Sequence, residues 1–104
     1  MENIQKIPII DQYLREGTIA VIDFYGNNCP TCRMLAPLFD SLSQQYGEKM
    51  SFAKINIDDH MNVANQLGIK SVPTLIFFKD GREMERHVGV LSRGAFQKKI
   101  ETLI

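Results

Sequence analysis

The chain holds two cysteines, and they stand three residues apart in Cys29-Pro30-Thr31-Cys32. Two thiols at this spacing, at the start of a helix, can close on each other with little backbone movement. That is the requirement for dithiol–disulfide exchange. The flanking segments supply the setting. The apolar run Ile19-Ala20-Val21-Ile22-Asp23-Phe24-Tyr25 reads as a buried strand, and Met34 to Tyr46 carries helical periodicity. Cys29 therefore falls where unpaired backbone N–H groups and the helix dipole favour a thiolate. A structural staple is the weaker alternative, because so short a loop constrains little of the unfolded chain. A tetrahedral zinc site needs four ligands, and the pair supplies two. His60 and His87 read as ordinary surface or satisfied histidines.

A length of 104 residues suits one domain, taken as residues 1–104. The hydrophobic fraction is 44% and the charged fraction 23%, ordinary for a soluble globular protein. Twelve basic residues balance 12 acidic ones, with no basic block, so no nucleic-acid partner is expected. No apolar stretch approaches the roughly 20 residues of a membrane span. The start, Met1 to Lys6, has an early acid and no apolar core, unlike a signal peptide. A cytoplasmic location and a monomeric state are the expectations, and in a reducing compartment a lone Cys-x-x-Cys points to catalysis or metal rather than to a staple.

The elements follow from periodicity and punctuation. Asn3 to Lys6 reads as an edge strand. Ile10, Tyr13 and Leu14 mark a short helix stopped by Gly17. Thr18 to Phe24 is apolar on both faces, as when helices cover both sides of a sheet. Leu35, Leu38, Phe39, Leu42 and Tyr46 line one helix face, with Pro37 inside as a kink and Gly47 as a cap. Ser51 to Ile57 is a strand, and Val63, Ala64 and Leu67 belong to a helix closed by Gly68. Thr74 to Phe78 and Met84 to Val88 flank Lys79-Asp80-Gly81-Arg82, whose Asp-Gly is a strong hairpin signal. Ser92 caps a last helix with Phe96, Ile100, Leu103 and Ile104 as its buried stripe. The order is β-α-β-α-β-α-β-β-α, an α/β fold with a mixed sheet between helices.

That order and these motifs resemble the thioredoxin family over essentially the whole chain. The resemblance is carried by Val21-Ile22-Asp23-Phe24-Tyr25, Cys29 through Pro37, Phe52 through Asp58, Gly68 through Leu75, Phe78-Lys79-Asp80-Gly81 and Val88-Gly89. Cys-x-x-Cys alone is a weak signal; the later Val-Pro-Thr and the hairpin make the likeness specific. It implies a thioredoxin fold, with a central mixed β-sheet of four to five strands and helices on both faces. It implies reduction of protein disulfides, with electrons returned by a thioredoxin-reductase-like donor, and neither cofactor nor metal. The family usually carries Trp-Cys-Gly-Pro-Cys; here Asn28, Pro30 and Thr31 replace its Trp, Gly and Pro. Proline directly after the first cysteine is closer to the glutaredoxin pattern.

On this reading Cys29 is the nucleophile and Cys32 the buried resolving thiol. Pro30 suits helix position N1. Thr31 restores an amide donor and adds a hydroxyl near the Cys29 sulfur, which favours its thiolate and a more oxidising disulfide. Asp23 is an acid in an apolar strand and needs a raised pKa or a partner, for which Lys54 on the next apolar strand is the natural choice. The resemblance places both behind the cysteines, where Asp23 takes the proton of Cys32 through water. It also implies a cis Val72–Pro73 bond against the pair, with the Val72 backbone free to pair with an extended substrate. Val72, Pro73, Thr74, Gly89 and Tyr25 are the candidate substrate-binding residues, and Ile57 and Val90 complete an apolar rim. Asn28, Pro30 and Thr31 are the candidate tuners of potential. Two other readings stand beside this one: a glutathione-dependent, glutaredoxin-like oxidoreductase, and a non-catalytic interaction module or dimeric metal carrier.

Overall fold

Residues Ile19–Tyr25 form β1 because five of the seven are apolar and helices cover both of its faces. A computed structural model of the chain describes residues 7–104; the edge strand expected around residues 3–6 lies outside them. After a 3-10 helix at Pro8–Tyr13 and β1 come α1 (Pro30–Tyr46), β2 (Ser51–Asn56) and α2 (Met61–Leu67). Then follow β3 (Thr74–Lys79), β4 (Arg82–Val88) and α3 (Arg93–Glu101). The sheet order is β2-β1-β3-β4. β1 runs parallel to β2 and antiparallel to β3, and β3 runs antiparallel to β4. The mixed sheet with helices is as expected.

Side chains alternate across β1 and so divide the core in two. Ile22 and Phe24 pack with Ile10, Leu14, Val63, Ala64 and Leu67, under the 3-10 helix and α2. Val21 packs with Leu35, Phe39, Leu42, Phe96 and Ile100, under α1 and α3. Asp23 shares parity with Val21, so it points to the α1 side, the side that carries the cysteines. The register Asp23↔Lys54 puts Lys54 beside it on β2.

Three local expectations are revised. The first helical segment is a 3-10 helix, opened by Pro8, with its last bond from Leu14 N–H to the Asp11 carbonyl. The hairpin loop is two residues, since β4 begins at Arg82 and not Met84; Asp80 and Gly81 take φ of 55° and 82°, the left-handed pair a type I′ turn requires. Ile104 is 44% exposed, because α3 ends at Glu101 and the chain leaves the helical stripe. Ser92 caps α3 as expected, accepting from Ala95 N–H at 3.1 Å. Helix α1 continues through Pro37, whose ring lies on the exposed side.

Candidate functional site: a dithiol pair over a buried acid

Cys29 and Cys32 are joined in a disulfide, with their Cα atoms 5.2 Å apart. Cys29 is the N-cap of α1 and Pro30 its first helical residue. The Cys29 sulfur does the work that a serine or aspartate oxygen does at other helix starts: it accepts from Cys32 N–H at 3.1 Å. In the disulfide this sulfur carries no proton, so the Thr31 hydroxyl, at 3.5 Å, is the donor of that pair. The expected Thr31 amide bond does not form; the amide that reaches the sulfur is that of Cys32. Exposure does not separate the two thiols, at 7% for Cys29 and 6% for Cys32. Their neighbours do: Cys29 has the α1 N-terminus, Thr31 and the Val72 carbonyl 3.9 Å away, whereas Cys32 faces a cleft.

That cleft, about 290 Å³, is lined by Asp23, Tyr25, Gly26, Cys32, Arg33, Ala36 and Lys54. Asp23 is 2% exposed, and its Oδ1 has no hydrogen-bond partner among the described residues. Burial pushes its carboxyl up to about 6; Lys54 pulls it down and Asp40 pushes it further up. The Lys54 ammonium does not pair with Asp23. It sits 2.8 Å from Asp40 Oδ1 and 5.7 Å from the centre of the Phe39 ring, both on α1. Asp40, Arg33 and Ala36 escaped the sequence reading. Their signal was helical spacing: Cys32, Ala36 and Asp40 recur every four residues, on one stripe of α1.

Val72–Pro73 is cis, and Pro73 is buried. Gly89 N–H donates to the Pro73 carbonyl at 2.9 Å, and its φ of 94° is the conformation glycine permits. The chain after β4 is thereby held against the proline. Thr74 is buried with its hydroxyl on the Ser71 carbonyl at 2.7 Å, so its side chain shapes the turn that presents Val72 and is not open to a substrate. Tyr25, Ile57 and Val72 are half-buried and Val90 is exposed, as a rim needs. Asn28 is exposed with φ of 53°, a left-handed turn position that asparagine tolerates better than most residues. A tether also escaped the sequence reading: Asn27 N–H donates to Asp58 Oδ2 at 2.7 Å, and Asn56 Nδ2 donates to Asn27 Oδ1 at 3.0 Å. These bonds fix the loop before Cys29 to the end of β2. Among the described residues no three His, Cys, Asp or Glu side chains gather as metal ligands, and no helix is long and apolar enough to cross a membrane.

Known proteins resemble this chain in sequence and fold. The family model described as Thioredoxin matches residues 8–102. Thioredoxin 1 of Synechococcus elongatus is 41% identical over 83 residues, 79% of this chain and 78% of that protein. The chloroplastic M-type thioredoxin of Pisum sativum is 36% identical over 87 residues, 84% of this chain and 51% of that protein. Among solved structures, the thioredoxin of Malassezia sympodialis superposes with a TM-score of 0.84 at 30% identity, covering 93% of this chain and 84% of that one. Fasciola hepatica thioredoxin gives 0.81 at 28% identity, covering 93% and 89%. A disulfide-bonded Cys-x-x-Cys at a helix start, on this fold and among these relatives, places the chain in the thioredoxin family as a thiol-disulfide oxidoreductase that reduces protein disulfides.

Proposed function

We propose that Cys29 attacks the protein disulfide and Cys32 resolves it, with Asp23 as the proton acceptor. The Cys29 thiolate displaces one substrate sulfur, breaking the substrate S–S bond and forming a mixed disulfide. Cys32 then gives its proton to Asp23 through water in the cleft, and its thiolate attacks the Cys29 sulfur. The second substrate thiolate leaves, and the Cys29–Cys32 disulfide remains. Two electrons and two protons from a reductase restore the dithiol. The observation that carries this assignment is the asymmetry of the pair: helix N-terminus and Thr31 at Cys29, carboxyl-lined cleft at Cys32. A carboxyl held near 6 is ionised at neutral pH yet basic enough to accept a thiol proton in passing.

The substrate arrives as an extended strand beside Val72, with Pro73, Gly89 and Tyr25 shaping the dock and Thr74 supporting it from below. Asn28 leaves that dock more polar than a tryptophan would, and Pro30 and Thr31 set the potential. Lys54 moderates the charge of Asp23. The chain acts as a single domain, 1–104, monomeric and cytoplasmic, needing neither cofactor nor metal, with disulfide proteins and a thioredoxin-reductase-like donor as partners. Insulin reduction driven by dithiothreitol tests the reading. Wild type should accelerate precipitation of the insulin chains well above Cys29→Ser, and a rate no higher than that control would overturn it.

A further inference from the structure

The mechanism proposed above does not use Asp40, yet its carboxylate pairs with Lys54, the cation that stands in register with the buried acid. We infer that Asp40 is a positioning residue: it holds the Lys54 ammonium over the Phe39 ring and off the Asp23 carboxylate, so that Lys54 acts on Asp23 from a distance and not as a direct ion pair. Three observations carry this. Lys54 and Asp23 are direct register partners on β2 and β1, so a Lys54–Asp23 pair lies within side-chain reach. Lys54 instead makes its ion pair with Asp40 at 2.8 Å and leans on Phe39, one residue earlier on α1. Asp23 Oδ1 is left with no partner among the described residues.

The charged and titratable groups around Asp23 are few. Lys54 comes from β2, Arg33, Cys32 and Asp40 from α1, and Tyr25 from β1 itself; β3 offers only Leu75 opposite it. Of these, Asp40 acts twice in one direction. Its charge opposes ionisation of Asp23, and its grip withholds the cation that would favour it. Lys54 and Asp40 are both well exposed, at 38% and 58%, so the pair biases the ammonium only a few-fold. A few-fold bias is still enough to move a titration midpoint by about half a pH unit.

The rate consequence rests on the reading of Asp23 as base; the placement of Lys54 does not. The test is therefore the infrared carboxyl band of oxidised protein titrated across pH, assigned to Asp23 by its loss in Asp23→Asn. Asp40→Asn should lower the Asp23 midpoint by about half a unit, and Asp40→Glu should restore it. In a Lys54→Met background the same Asp40→Asn change should move it by clearly less, because the cation it held is gone. An unmoved midpoint in Asp40→Asn, or an equal shift with and without Lys54, would overturn the inference. The acid limb of the reduction rate should follow the band. A band that shifts while the rate profile stays fixed would uphold the role of Asp40 and overturn Asp23 as the base.

Discussion

Asp23 stands where a strand buried on both faces would otherwise be apolar, and its cost is measurable. Its carboxyl lies at about 6 in the folded chain against 3.8 for a free side chain, so the native state binds the proton more tightly than the unfolded state. Stability contributed by the protonated form is complete below 3.8 and is lost as pH rises through 6. The gap corresponds to about 3 kcal/mol. Asp23→Asn should therefore stabilise the oxidised protein by about 2 kcal/mol at pH 8, where about 1 kcal/mol is lost to an amide without partners, and destabilise it by about 1 kcal/mol at pH 3, where only that loss remains. Denaturant unfolding at the two pH values checks this, while the variant should release substrate more slowly. Thr31 makes a second residue-scale prediction. Its hydroxyl is a donor to the Cys29 sulfur at 3.5 Å, so Thr31→Val should leave about threefold less thiolate at a pH below the midpoint, read by ultraviolet absorbance of the reduced protein.

The elements were legible in the sequence wherever one signal sufficed. Asp80-Gly81 marked the hairpin, though not its tight two-residue loop, in which both φ values are positive. Gly81→Ala should cost about 1 kcal/mol in thermal unfolding by forcing a Cβ into that conformation. Ser92 likewise caps α3 through its hydroxyl, and Ser92→Ala should cost about 1 kcal/mol. Helix α1 was legible as an apolar stripe but not as a polar one. The four-residue spacing of Cys32, Ala36 and Asp40 is visible, yet Lys54 has two carboxylates within reach, and spacing alone does not say which one it takes. The choice depends on the approach of α1 to β2, a tertiary quantity. The roles of Thr31 and Cys32 crossed for a similar reason: which amide meets the sulfur depends on the N-cap angle of Cys29, not on residue type.

At the scale of the molecule, two apolar layers enclose the sheet, and the layer beneath α1 and α3 also supports the site. Phe96 is fully buried, with ring centroids 5.7 Å from Phe77 and 6.2 Å from Phe39. Phe96→Ala should cost about 3–5 kcal/mol, seen as a lower denaturant midpoint. The mixed topology was readable from alternating elements and one hairpin. The tether of Asn27 to Asp58 was not, because it joins two loops that only the finished sheet brings together. Fold, cysteine pair and cis proline thus came through as expected, while the charge network around the acid depends on how α1 meets β2, which residue spacing does not fix. The central claim is that Cys29 attacks and Cys32 resolves, and trapping tests it most directly. Reduced Cys32→Ser and Cys29→Ser proteins would each be mixed with insulin and analysed by intact mass spectrometry. Cys32→Ser should accumulate a mixed disulfide on Cys29, with Cys29→Ser giving little or none; an adduct that builds up on Cys32 instead would contradict the account.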